Sequence, residues 1–335
     1  MILLQQFQDK YFQKFSIDFE STINNLFPTD LSDLKEIFRY HLGLDEVQEK
    51  QGKRIRPLLT LLCTEGSGGN WETAIPAAVA IELIHNFSLI HDDIEDNGLT
   101  RRAKETVWKK WGFAKGINSG DAMFSSAFIA LNGITNNLSP EIFIDVYKLL
   151  GNTSLKLTIG QQMDIDFETR ERISTAEYYQ MISGKTAALL SCCTQMGALV
   201  SGLGEADQLR YSKFGEELGM AFQIYDDWLG VWGDPLITGK SASSDLVEGK
   251  KSLPILIGLK RSNRFRERWM KQRVTQEDSK DLAEWLWEDG VEELVMDEFK
   301  IWNRKALDAL DSLRCKREIR SALFELAEKL LIRKK

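Results

Sequence analysis

Apolar residues recur with helical spacing along nearly the whole chain, and this periodicity leaves little room for another architecture. Between Trp71 and Asp96, the residues Ala74, Ile75, Ala78, Ile81, Leu83, Ile84, Phe87, Leu89 and Ile90 cover a wide face of one helix. Pro76 falls in its first turns, where a missing donor matters least, and Gly98 ends it. The same spacing predicts helices over 116–132, 140–167, 175–203, 205–231, 253–261 and 299–333. Sustained Val/Ile/Thr alternation is scarce, so a sheet is not expected. With 6 prolines and 24 glycines in 335 residues, the chain is too poor in breakers for a loop-rich or low-complexity protein. The breaks are short clusters of Gly, Asn, Ser and Asp, as between helices of a bundle. No linker-like shift in composition and no internal repeat divides the sequence. The expectation is one all-α domain over 1–335.

Charge and cysteine content narrow the function classes. Asp+Glu number 50 against 43 Lys+Arg, a net charge of -7, which argues against a nucleic-acid partner. Cys63, Cys192, Cys193 and Cys315 lack metal-site spacing, and an adjacent pair makes a poor disulfide framework. A reducing, cytoplasmic location is expected. The apolar run Met1–Leu4 is very short and gives way to Gln5, Gln6 and Asp9 without a basic leader, so an export signal is not expected. The longest uncharged stretch, 186–204, contains Ser191, Thr194, Gln195, Ser201 and three glycines, so it reads as a buried core helix rather than a membrane span.

Two acidic clusters carry the chemistry. In His91-Asp92-Asp93-Ile94-Glu95-Asp96, a helix would project Asp92 and Asp96 from one face with Asp93 beside them. Like charges at that spacing repel unless a cation lies between them, and hard oxygen ligands suit Mg²⁺, which keeps waters and shares its shell with phosphates. A solvated acidic helix end is the plainer alternative. A second adjacent pair, Asp226-Asp227 in Phe222–Gly230, again follows an apolar helical run. Carboxylates carried on two such helices are costly without cations, so the pair of clusters favours a metal-bridged, highly charged ligand.

Cations accompany these clusters. Lys53, Arg54 and Arg56 fall within four residues before Pro57, Arg101-Arg102 follow the first acidic motif, and Lys185-Thr186, Lys240 and Lys250-Lys251 lie near helix breaks. Guanidinium forks match phosphate oxygens and lysine supplies a point charge. Two anion sites are expected, one bridged by metal and one held directly by cations, as a pair of diphosphates would need. The segment 230–251, with Gly233, Pro235, Gly239, Ser241, Ser243, Ser244 and Gly249, reads either as a loop closing over phosphate or as an ordinary surface loop.

These residues resemble the trans-isoprenyl diphosphate synthases, the polyprenyl synthetase family, along nearly the whole chain. The matching pieces, in the family's order, are GKRIRP (52–57), ELIHNFSLIHDDIEDNGLTRR (82–102), GQQMDIDFE (160–168), GKTAALLSC (184–192), FQIYDDWLG (222–230) and GDPLITGKSASSDLVEGKKSLPIL (233–256). The resemblance implies an antiparallel helical bundle around a deep central cavity, usually a homodimer. It implies that Lys53, Arg56 and His85, with Arg102, hold the diphosphate of isopentenyl diphosphate. Asp92, Asp96 and Asp226 would bind Mg²⁺, three ions in the closed complex with Mn²⁺ as a substitute, gripping an allylic diphosphate with Asp93 and Asp227 in support. Arg101, Lys185, Thr186, Gln223, Lys240 and Lys250 would contact that diphosphate, and Gln161 and Asp164 would line the same wall.

Two positions depart from the family pattern. Gly230 stands where a last aspartate is usual, with Asp234 four residues on as a candidate replacement, although Gly233 and Pro235 mark a helix end there. Ala103-Lys104-Glu105 follows the arginine pair, where the family commonly has Gly. Chain length in such enzymes is set one turn before the first acidic motif. Here Phe87 lies five and Ser88 four residues before Asp92, one aromatic rather than two, which resembles synthases that stop at C20. A C15 synthase, a terpene cyclase and a non-catalytic subunit are the alternatives. The Lys53/Arg56/His85 set argues against a cyclase, which needs no second diphosphate. The spacing Glu82-x-x-His85 would suit a di-iron bundle, but neither His41 nor His91 supplies the second such motif.

Overall fold

The structure is a computed structural model that describes residues 2–27, 32–45, 53–134, 138–234, 243–271 and 273–331. In chain order the helices are α1 (Ile2–Leu26), α2 (Ser32–Leu42), α3 (Ile55–Gly66), α4 (Ile75–Glu95), α5 (Val107–Trp111), α6 (Phe113–Ala130), α7 (Pro140–Thr169) and α8 (Thr175–Ile182). They continue as α9 (Ala188–Val200), α10 (Glu205–Trp232), α11 (Ser244–Glu248), α12 (Leu253–Arg261), α13 (Asn263–Lys271), α14 (Gln276–Glu288), α15 (Val291–Ser312) and α16 (Arg317–Leu331). The strands among the described residues are β1 (Thr100–Arg101) and β2 (Lys104–Glu105), an antiparallel pair. The all-α expectation holds.

Several local expectations are corrected. The helix expected from Trp71 begins as a 3₁₀ turn over Trp71–Ala74, because the Asn70 side chain accepts from the Glu72 N–H and tightens that first turn. The helix expected over 175–203 is interrupted by a π turn at Ser183–Ala187. The helix expected over 299–333 breaks after Ser312. There the Lys316 N–H donates to Gly66, Tyr211 donates to the Arg314 carbonyl, and Arg320 donates to the Leu313 carbonyl. Tertiary partners have replaced the helical ladder at that point. The segment expected as a loop from Gly230 instead continues α10 to Trp232 and later forms α11, whereas 235–242 lie outside the described residues.

The chain gathers into two compact units. The first comprises Met1–Ser154, Cys192–Tyr211 and Leu313–Leu323, and the second Leu155–Ser191, Ser212–Ser312 and Phe324–Lys335. In the first unit α4 is central, with α1, α3, α5 and α6 all packed against it. Its residues Ile81, Leu83 and Ile84 are fully buried, each such side chain contributing about 1.5–3 kcal/mol by removal from water. The stretch Trp71–Glu95 is long and apolar enough to cross a membrane, but most of it is buried in the structure. In the second unit α12 packs on α13 and α15, and Tyr178, Phe214, Ile224, Leu253 and Phe265 are buried. Gly160 of α7 lets the π turn approach, since a Cβ there would collide with the Lys185 backbone nitrogen.

Candidate active site

The first acidic motif occupies the C-terminal end of α4. Asp92 is partly exposed, Asp93 is buried, and Asp96 is the exposed C-cap. Arg101 Nε donates to both oxygens of Asp93 at 2.9 Å, and its Nη2 reaches Asp92 Oδ2 at 3.4 Å. Burial raises the Asp93 carboxyl above its ordinary range, with Arg101 pulling the other way. Burial also works against the charge of Arg101, but the hydrogen bonds and charge of Asp93 prevail and raise it. Arg101 thus positions the acidic end of α4. It comes from β1, and the hairpin turn is made by Arg102 and Ala103, both left-handed with φ of 51° and 61°. Tyr40 donates to the Glu105 carbonyl, and Trp108 Nε1 and Thr106 Oγ1 donate to the Gly98 carbonyl, fixing the hairpin to its neighbours.

The same unit assembles the expected cations. Lys53 and Arg54 precede α3, Arg56 lies in its first turn, and His85 sits about two turns before Asp92 on α4. His85 is held well below the ordinary histidine range by burial and by Arg56, Arg102, Arg101 and His41. It is therefore neutral and can donate one hydrogen bond without carrying charge. His41, which lines a pocket with Tyr40, Arg101 and Arg102, is pushed down to about 3 by burial and by Arg102, Arg101 and Arg54. Arg56 Nε is buried without a hydrogen-bond partner, and so is His41 Nε2. The Arg56 donor left this way suits an acceptor brought by a ligand. Phe87, largely buried, meets the Phe124 ring edge-on at 5.2 Å and the His91 ring at 5.9 Å, while Ser88 Oγ donates to the His85 carbonyl.

The second unit assembles the other expected residues. Thr186 Oγ1 donates to Gln223 Oε1 at 2.6 Å, and Gln223 Nε2 donates to Asp227 Oδ1 at 2.8 Å. Tyr178 and the Leu253 N–H both donate to Asp227 Oδ2. Burial, then the charge of Asp245, raises the Asp227 carboxyl to about 7 against those three donors. Asp226, one residue earlier, is partly exposed. Lys185 lies in the π turn and pairs with Asp164 at 2.5 Å; such turns interrupt helices often at functional positions. Lys250 pairs with Glu248 at 3.0 Å, and Gln161 is partly exposed on α7. Lys240 lies outside the described residues.

Gly230 has a structural reason. A Cβ there would stand 2.5 Å from the carboxyl carbon of Asp245, so the space for a longer side chain is already taken by a carboxylate. Asp234, the candidate replacement, is exposed beyond the end of α10. Sequence reading missed Asp245, Tyr178, Glu82 and the part played by Arg54. Asp245 could have been sought by asking which acid follows the missing one; nothing in the sequence marks Tyr178.

The donor set fits magnesium. No group of three or more His, Cys, Asp or Glu among the described residues closes a metal cage. Mg²⁺ does not need one, since one or two carboxylates, water and phosphate oxygens complete its shell. Asp92 and Asp96 at the end of α4 in the first unit, and separately Asp226 in the second, carry the hard oxygen that Mg²⁺ takes, whereas the oxygens of Asp93 and Asp227 are committed to protein donors.

A family model described as polyprenyl synthetase matches residues 39–287. A geranylgeranyl diphosphate synthase of Mycobacterium tuberculosis is 38% identical over 66% of this chain, which spans 63% of the length of that relative. One from Methanosarcina mazei is 34% identical over 84% of this chain and 86% of its own. The crystal structure of a geranylgeranyl pyrophosphate synthetase from Pyrococcus horikoshii Ot3 is similar with a TM-score of 0.88 at 33% identity, covering 99% of this chain and 98% of that one.

Proposed function

The chain belongs to the polyprenyl synthetase family, and from that premise we propose that it is a prenyltransferase joining isopentenyl diphosphate to an allylic diphosphate with release of diphosphate. The observation that carries the reading is the buried Arg56 Nε, without a hydrogen-bond partner, close to His85 in the same unit as Asp92 and Asp96. Arg56 belongs with His85, Arg102 and Lys53 to the set proposed for isopentenyl diphosphate, and a second diphosphate would meet its buried, unsatisfied Nε donor. That favours elongation over cyclisation.

Heterolysis of the allylic C–O bond leaves charge on the departing diphosphate, and preorganised positive charge lowers that barrier. Mg²⁺, held by Asp92, Asp96 and Asp226, would supply much of that charge when bound. Lys185 adds a cation whose place is fixed by the π turn and by Asp164. Thr186 and Gln223 present a rigid polar edge, because each is locked to the other and through Asp227 to Tyr178. His85 and Arg56 hold the isopentenyl diphosphate while its double bond attacks the allylic carbon, and the departing diphosphate accepts the proton then lost. Phe87, braced by Phe124 and His91, stops growth at C20.

A homodimer is part of the same proposal. Phe113, Ile117 and Phe124 recur on one exposed face of α6, and a second copy would cover it; a monomeric mass by light scattering would refute this. The function itself is tested by incubating the purified chain with Mg²⁺, labelled isopentenyl diphosphate and each allylic primer in turn. Geranylgeranyl diphosphate is the expected product. Absence of elongation from every primer contradicts the reading.

A further inference from the structure

We propose that Arg54, acting through Glu82, is a positioning residue that holds the isopentenyl diphosphate set in place and keeps its charges available, an inference that rests on the reading of that set given above. Arg54 caps α3 in the left-handed region at φ 43° and ψ 41°. A residue with a Cβ persists there only when its surroundings over-determine it. They do so here. Nη1 donates to Glu82 Oε1 at 2.7 Å, Nη2 donates to the Leu42 carbonyl at 2.7 Å, and the guanidinium lies 4.9 Å from the centre of the Phe19 ring. The two side chains are only 7% and 4% exposed. Asn86 Nδ2 also donates to Glu82 Oε1, at 3.1 Å.

This arrangement has two consequences. The turn at Arg54 sets where Lys53 leaves the chain and where Arg56 enters α3, because the Arg54 carbonyl already accepts from the Leu58 N–H. The pairing also satisfies Glu82. That carboxylate acts electrostatically on Arg56 and Arg102 as well as on Arg54. With Arg54 present, its nearest oxygen is occupied and the Arg56 Nε keeps no protein partner. Without Arg54, a buried carboxylate would be left to draw Arg56 or Arg102 toward itself, because an unpaired buried charge seeks compensation. Arg54 touches no reacting atom in this account; it frees neighbouring cations for the ligand.

The test uses the full chain and four proteins: wild type, Arg54→Met, Glu82→Gln and the double variant. Steady-state assays read KM for isopentenyl diphosphate and for the allylic primer separately, and calorimetry reads binding of isopentenyl diphosphate alone. Arg54→Met is expected to raise the isopentenyl KM by about tenfold or more, with the allylic KM within about twofold of wild type. The double variant is expected to recover part of that loss, because the stray carboxylate has gone. A merely structural pair would lower thermal stability while leaving the isopentenyl KM unchanged, or would raise both KM values together, and either result overturns the proposal. If Arg54→Met fails to fold, Arg54→Lys and Glu82→Gln carry the test on the same KM criterion. A wild-type chain that elongates nothing defeats the underlying reading instead, and the proposal with it.

Discussion

Adjacent aspartates in this chain divide their work by burial. Asp93 and Asp227 are buried and bound by protein donors, while Asp92 and Asp226, one residue earlier in each pair, remain partly exposed. Asp93 is held at the end of α4 by Arg101, and Asp227 is held within α10 by Tyr178, Gln223 and the Leu253 N–H. Asp227 makes this measurable. Its carboxyl, raised to about 7 mainly by burial and then by Asp245, keeps a proton where the unfolded chain has lost it. The stability this contributes is full below the unfolded value near 4 and is lost as pH rises through 7. Urea unfolding of metal-free wild type and Asp227→Asn should therefore show their difference shifting against wild type as pH rises from 5 to 8. A difference independent of pH contradicts the assignment. Phe87 gives a second test at this scale. Its ring is braced by Phe124 and His91, so Phe87→Ala should yield a main product at least one isoprene unit longer by chromatography. An unchanged product distribution would refute its role as a floor.

Among the elements, the hairpin after α4 shows a local rule broken at a useful place. Ala103 holds φ 61°, a region in which a Cβ costs about 1–2 kcal/mol. Ala103→Gly should raise stability by about 1 kcal/mol, seen as a higher melting temperature; a lower one would show that the turn is not strained. The long helices were legible because each carries its own apolar stripe: α4, α6, α7, α10 and α12 lie within a turn of where the periodicity puts them. The break after Ser312 was not, since partners distant in sequence, Gly66 and Tyr211, make it. Nor was the π turn at Lys185, which packs closely against Gly160 of α7, a neighbour distant in sequence. Two-residue strands are too short for alternation to register.

At the scale of the whole molecule, the proposed site residues are divided between the two units: Lys53, Arg56, His85, Asp92, Asp96, Arg101 and Arg102 belong to the first, and Lys185, Thr186, Gln223 and Asp226 to the second. The sequence motifs single out these residues as candidates because their types declare charge and spacing. They said nothing of Arg54, Glu82 or Asp245 as partners, because a buried ion pair and a carboxylate filling the space over a glycine depend on which helices meet. The central claim is that Asp92 and Asp226 each contribute to holding diphosphate through magnesium. Calorimetric titration of inorganic pyrophosphate into the purified chain, with and without Mg²⁺, tests it most directly. Binding is expected only with Mg²⁺, and Asp92→Asn and Asp226→Asn should each weaken it by about tenfold or more. Binding that needs no Mg²⁺, or that survives unchanged in either variant, would contradict the account.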